Sequence, residues 1–325
     1  MATPGKYNFS TNPLLLSGLL LVSYFAAFRI SGNGSTVEWI PALISFVDAE
    51  SVTPRLSLLL STFFLAVNAL SLYTIGLKLL GTGKNKFLLP VIYLIFALVS
   101  PKVLIFSGSS AAALFVLWSL YFTISAKQGD LQFFVSGFLI SVATLFEPQL
   151  TFIVPLIIIY SMMTNGAGAR SAVLMLFAVA IPWIFMLSLR YLFFQDATLF
   201  AQLFADELTG ISLFRFSLES VADFALMLFF VIISFSSVAF IMGQRNHYKI
   251  LKSMAYTRFI ILLLFLVLML FIYPHTRGTL SSLIAMPVAV VVNEYMLNYT
   301  KSNKHQIQFI ILLILILVAI VSNLL

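Results

Sequence analysis

Apolar residues run in blocks along almost the whole 325-residue chain, and polar residues collect in the gaps between them. A helix needs roughly 20 mostly apolar residues to cross the hydrocarbon core of a bilayer, with a range of about 17–25. Eleven blocks approach that length: 13–30, 56–77, 87–105, 109–126, 131–146, 150–163, 172–193, 220–242, 259–273, 279–297 and 307–325. Lipid offers no partner to a backbone N–H or C=O, so each block is predicted to be a helix. Two of the joins are set by helix breakers. Glu147-Pro148 separates 131–146 from 150–163, because proline lacks an amide donor and disfavours helix in the residue before it. Ser107-Gly108-Ser109 separates 87–105 from 109–126. The first block reads as an uncleaved first helix. Only Lys6 precedes it, its apolar run exceeds the roughly 7–15 residues of a signal peptide, and Arg29 follows. The expected fold is all-α: a polytopic transmembrane helix bundle of about eleven spans, a single transmembrane domain over 1–325 with no soluble domain.

Two of the polar gaps carry a pattern of their own. In 31–55, Ile40, Leu43, Ile44 and Val47 recur at the spacing of one helical face, with Trp39 and Pro41 at the start. In 194–219, Phe200, Leu203, Phe204, Leu208 and Ile211 repeat that spacing, and Asp206 and Glu207 are expected to point away from the face. Both read as short helices lying in the membrane interface. They either roof a cavity or seal the bundle against lipid headgroups.

Composition narrows the functional classes. Apolar residues make up 61% of the chain and charged residues 9%, against about a quarter charged in a soluble domain. A soluble enzyme, a nucleic-acid-binding module and a disordered chain are thereby excluded. Zero cysteines exclude a disulfide scaffold, a thiolate nucleophile and an iron–sulfur cluster. Charge distribution then orients the bundle. With the N-terminus inside and eleven alternating spans, twelve of the 18 lysines and arginines but only Asp130 and Glu294 of the 11 acids fall inside. Six basic residues and nine acids fall outside. That is the positive-inside bias, and it predicts a cytoplasmic N-terminus and a C-terminus on the far side. The net charge of +7 is a topology signal, with no nucleic-acid partner needed to explain it. One inside stretch, 243–258, is strongly basic and is expected to lie against anionic headgroups.

Three segments carry a family resemblance. FALVSPKVLIFSGSSAAALFVLWSL (96–120) resembles the third-to-fourth helix region of the GT-C membrane glycosyltransferases, with a proline before an outward Ser/Gly-rich turn. SGFLISVATLFEPQLTFIVPLIIIY (136–160) resembles their next hairpin, and HTRGTLSSLIAMPVAVVVNEYML (275–297) resembles the late helix with an outer basic residue and a mid-span proline. The chain as a whole also resembles a bacterial family of polytopic inner-membrane proteins of about this size. The GT-C resemblance implies many helices, an amphipathic helix after the first span, an outward cavity for a polyprenyl-phosphate-linked sugar, and a catalytic carboxylate in the first outer loop. It implies the bacterial inner membrane as location. The sequence departs from the family pattern in three ways. Residues 31–55 contain no adjacent acidic pair, Glu147 stands where a basic residue is expected, and the family's soluble outer domain is not expected here.

Glycosyl transfer needs a base for the acceptor proton and positive charge for the leaving lipid phosphate. Asp48 and Glu50 are the candidate catalytic carboxylates; Glu38, at the start of a short helix, is better explained by the helix dipole. Lys102, Glu147, Arg190, His275 and Arg277 fall at outer helix ends and are the candidate substrate-binding residues. Arg190 lies in an apolar run, where a charge is costly and often functional; the competing explanation is snorkelling to headgroups. His247, His275 and His305 are scattered across both faces, so no metal site or other cofactor is expected. Gly81-Thr82-Gly83-Lys84 lacks the Ser or Thr of a phosphate loop. Asn68 and Glu294 read as helix–helix hydrogen-bonding partners. Three functions fit this pattern: a GT-C-like enzyme acting on a lipid-linked sugar, a non-catalytic membrane scaffold or assembly partner, and, third, a transporter or flippase of a lipid-linked intermediate.

Overall fold

The computed structural model describes residues 53–81, 86–98, 106–125, 130–162, 168–210, 221–273 and 281–298, with Gly18 alone ahead of them. Every described element is helical: α1 (Pro54–Ile75), α2 (Leu88–Ala97), α3 (Gly108–Ser125), α4 (Asp130–Phe146), α5 (Val154–Met162), α6 (Ala169–Phe193), α7 (Ala197–Thr209), α8 (Val221–Gln244), α9 (Ile250–Ile272) and α10 (Ser281–Asn298). Among these residues, four helices are long and apolar enough to cross a membrane: Arg55–Leu80, Gly108–Ser125, Ala169–Phe193 and Ile250–Ile272. Leu88–Ala97, Asp130–Phe146, Pro148–Met162 and Ser281–Leu297 are apolar but shorter. The chain is an integral membrane protein. Apart from Gly18, the predicted blocks 13–30 and 307–325 lie outside the described residues, as does the interfacial helix expected in 31–55.

Local chemistry sets the helix ends. The Thr53 hydroxyl accepts the Leu56 amide at 3.3 Å, and Pro54 occupies the first turn, where its missing N–H leaves nothing unpaired. α1 runs on as a π-turn over Gly76–Leu80 and stops at Gly81, whose φ of +62° only glycine adopts without a Cβ penalty. The expected break at Glu147-Pro148 is present: α4 stops at Phe146, and Pro148–Ile153 forms a 3₁₀ segment before α5. The break at Ser107-Gly108-Ser109 is the start of α3. The largest shift of a helix start is at α9. The apolar block 259–273 begins nine residues earlier, at Ile250, and two cations in the added turns find partners inside the bundle. Lys252 Nζ lies 2.9 Å from Glu294 Oε1. The buried Arg258 reaches the Tyr160 carbonyl, in the last turn of α5, at 3.5 Å.

α2 and the middle of α10 are buried on every side and form the centre of the bundle. A helix apolar all round belongs in such a place. α10 packs on α2, α8, α9 and α3, while α4 packs between α3 and α6. The α4–α6 contact is close: a Cβ on Gly137 would stand 2.6 Å from the Met175 carbonyl oxygen. Ser141 Oγ donates to the Val179 carbonyl at 2.6 Å, and Trp183 Nε1 to Thr144 Oγ1 at 3.2 Å, so the same pair of helices is also stitched by hydrogen bonds. Ser119 and Ser136 do the same for α3 and α4, their hydroxyls 2.9 Å apart.

Polar ties gather at two opposite ends. At one end Asp130 takes an ion pair from Arg170 at 3.1 Å and a hydrogen bond from Ser171 at 3.0 Å. There Glu294 is held by Lys252 and accepts the Tyr256 hydroxyl at 2.5 Å, the interhelical role expected of it. Asn68 likewise donates to the Ser110 carbonyl at 2.9 Å across α1 and α3. The charged groups that meet at this basic end come from the ends of α4, α6, α9 and α10. The other end carries α7.

Candidate functional site

α7 is the amphipathic helix expected in 194–219, and it lies across one end of the bundle as a roof. Phe200 and Phe204 are buried, Leu203 and Leu208 half-buried, and Asp206 exposed. Ile211 lies outside the described residues. The Trp183 ring meets Phe204 edge-on at 4.4 Å between centroids, seating the apolar face on α6.

Three polar ties hold this roof. The first is Arg190, in the last turn of α6. It has no exposed surface, and its Nη1 donates to Asp196 Oδ2 at 2.8 Å. The chain reverses between them through Gln195, whose φ of +54° is uncommon for a residue with a Cβ. The guanidinium also lies 4.6 Å from the centroid of the Phe200 ring, so an ion pair and a cation–π contact fix the start of α7 together. The second tie is Gln149, which donates to Glu207 Oε1 at 3.2 Å. Glu207 therefore turns toward the 3₁₀ segment, where the sequence pattern had it pointing away. The third is Tyr273, at the end of α9, whose hydroxyl donates to the Leu208 carbonyl at 2.6 Å. Burial, and then the negative charge of Glu207, push the Tyr273 phenol above its ordinary pKa and keep it a donor.

Beneath the roof α3 begins inside the bundle, in a layer of hydroxyls. The Phe106 amide donates to Ser57 Oγ at 2.9 Å, and Ser110 Oγ donates to the Ser107 carbonyl at 2.8 Å. Ser109 Oγ lies 3.1 Å from Ser107 Oγ and 3.4 Å from Ser282 Oγ, joining the first turns of α3 and α10. These side chains supply partners that a buried helix start would otherwise lack. Gly108 sits against the Phe146 carbonyl, where a Cβ has no room. Beside the roof, a shallow open groove of about 550 Å³ runs between α6 and α7, lined by Leu187, Ser188, Tyr191, Leu192, Thr198 and Ala201.

Two of the seven sequence-predicted site residues are described. Arg190 is engaged by Asp196. Glu147 is 6% exposed at the α4 terminus; its amide donates to the Ala143 carbonyl at 3.0 Å and its carbonyl accepts the Leu150 amide at 3.1 Å. Both lie at the roofed end. The ties at Asp196 and Glu207 are about 16 Å apart along α7 at helical rise, so Arg190 and the Glu147–Gln149 corner stand under its opposite ends. Asp48, Glu50, Lys102, His275 and Arg277 lie outside the described residues. Sequence reading passed over Gln149, Asp196 and Tyr273. Only Asp196 left a signal, an acid six residues beyond an arginine in an apolar run. Among the described residues no three metal-ligating side chains stand together. No family model matches the chain, and no curated protein or solved structure does either.

Proposed function

We propose that this membrane protein handles a polyprenyl-phosphate-linked sugar at its roofed end, as a GT-C-like glycosyltransferase. In this reading Asp48 or Glu50 is the base that takes the acceptor proton, and Lys102, His275 and Arg277 face the lipid phosphate. The observation that carries it is the roof itself: an amphipathic helix seated on apolar side chains and fastened by ion pair and hydrogen bonds over one end of an apolar bundle. The groove at the edge of the roof, open and mostly apolar, suits the approach of an isoprenoid chain. Lys102 lies six residues before α3 and Arg277 four residues before α10, and those two helices are joined at Ser109–Ser282. Short connections from one polar layer favour a shared site for the two cations.

The test is single substitution of Asp48, Glu50 and Arg277 by alanine in a strain whose glycolipid pools change when the gene is deleted. Each variant is expected at wild-type abundance with the deletion's glycolipid profile. Full complementation by all three defeats the enzymatic reading. A second reading, a non-catalytic scaffold or assembly partner of the same architecture, is favoured by one observation: Arg190, the buried cation of the roofed end, is already paired with Asp196. It expects all three variants to complement.

A further inference from the structure

We propose that the turn joining α8 to α9 is a binding site for the headgroup of an anionic phospholipid, contacted by Arg245 and Lys249 with His247 beside them. The inference stands apart from the roofed end and from any activity there. It starts from charge. From Asp223 to Glu294 the sequence contains no acidic residue in between. Both described acids of the basic end are already engaged, Asp130 by Arg170 and Glu294 by Lys252. Two cations of the 243–258 stretch are also taken up internally. Arg258 is buried against Tyr160. Lys252 is drawn to Glu294 and lies over the rings of Tyr248 and Tyr256, at 5.0 and 5.6 Å. What is left at the surface is Arg245, His247 and Lys249, all exposed and without an ion pair among the described residues.

The backbone holds these three close together. Arg245–His247 is a 3₁₀ turn, closed by the Tyr248 amide on the Arg245 carbonyl at 3.3 Å, and Lys249 caps α9. Apolar side chains flank the turn: Met242 on one side, Ile250 and Leu251 on the other, at 52%, 75% and 37% exposure. Cations interleaved with exposed apolar side chains match a phosphate headgroup with its acyl chains attached. A free phosphate ion has no use for the apolar half of this surface. A lipid anion supplies the counter-charge that the protein does not.

The experiment uses the full chain in bilayer vesicles of phosphatidylcholine and phosphatidylglycerol in equal parts, and counts the lipid retained on the released protein by native mass spectrometry. Wild type is expected to retain phosphatidylglycerol in preference to phosphatidylcholine, and to lose that preference at high salt. A basic residue near an anionic surface contributes about fivefold, so R245Q/K249Q is expected to weaken retention roughly 25-fold. The charge-conserving R245K/K249R keeps it, and so does K78Q, which removes a cation at the same end. Equal retention of the two lipids by wild type overturns the proposal whatever the variants do. Equal loss in K78Q and in either single variant, R245Q or K249Q, also overturns it, because bulk charge then explains the result.

Discussion

Replacing Asp196 by asparagine tests whether Arg190 is an anchor. The substitution keeps the size of the side chain and an acceptor oxygen but removes the charge 2.8 Å from the guanidinium. Arg190 has no exposed surface and the Asp196 side chain is 16% exposed. Breaking one side of a buried ion pair costs about 3–5 kcal/mol because the remaining charge stays desolvated. The partial exposure of Asp196 lets some water reach the arginine, so the low end, about 3 kcal/mol, is expected. Arg190→Leu acts differently. It removes the buried charge along with the contact over Phe200, and it leaves Asp196 at the start of α7, where the helix dipole favours an anion. About 1–2 kcal/mol is expected there. The double variant, with neither charge, should be more stable than D196N alone, giving a coupling of roughly 2 kcal/mol in a double-mutant cycle. The assay is equilibrium unfolding in mixed micelles titrated with SDS, with protease cleavage near 195–210 as a local readout. Additive costs, or a D196N protein as stable as wild type, would refute the argument that the pair fastens the roof.

Other perturbations test other contacts. Gly137→Ala pushes a methyl into the Met175 backbone, which cannot move aside as a side chain does; a loss of about 1–3 kcal/mol in the same titration is expected, and Gly137→Leu should lower folded yield. At the basic end the costs are asymmetric: Lys252→Met leaves the buried Glu294 with a tyrosine hydrogen bond but without its counter-charge and should cost about 3 kcal/mol, whereas Glu294→Gln lets the quarter-exposed lysine turn to water and should cost about 1 kcal/mol. Equal costs would contradict the difference in burial. Tyr273 adds a pH dependence. Its folded pKa is raised, so its contribution is fully present below the ordinary tyrosine value of about 10 and is lost as pH rises toward the higher folded value. Tyr273→Phe should flatten the alkaline part of the stability profile, and tyrosinate absorbance should show one phenol fewer ionising late.

The parts of this fold legible in the sequence are those fixed by local rules. Pro148 ends a helix through its missing donor, a reason that acts within a few residues, whereas Gly108 starts one, and the contact that excludes its Cβ comes from Phe146, far along the chain. The face of α7 follows from apolar spacing, and Phe200 and Phe204 point inward as that spacing requires. Asn68 and Glu294 are isolated polar groups in apolar runs, so a partner on another helix is the economical expectation. What escaped the sequence is pairing over distance. Lys252 and Arg258 read as part of a basic stretch lying against anionic headgroups, because nothing local shows that Glu294, 42 positions beyond Lys252, and the Tyr160 carbonyl, 98 positions before Arg258, receive them. Gln149 with Glu207 and Tyr273 with Leu208 are separated by 58 and 65 residues, and no periodicity links them.

The two ends spend their charge in opposite ways, and this bears on which functional reading survives. At the roofed end, the buried cation Arg190 and the acid Asp196 neutralise each other to hold α7, and a second acid, Glu207, serves as a hydrogen-bond acceptor. An anionic substrate arriving there therefore needs cations other than Arg190. Lys102, His275 and Arg277 are the remaining candidates, from the connections that lead into the joined starts of α3 and α10. The enzyme reading thus separates Arg277 from Arg190: losing Arg277 should remove function at wild-type stability, and losing Arg190 should remove function only in proportion to lost fold. The scaffold reading makes the two alike, because neither faces a substrate and only stability carries through to the cell. Plotting complementation against unfolding free energy for variants at both positions places Arg277→Ala either on the common line or well below it. A point on the line leaves no reason to invoke a phosphate at this end of the protein.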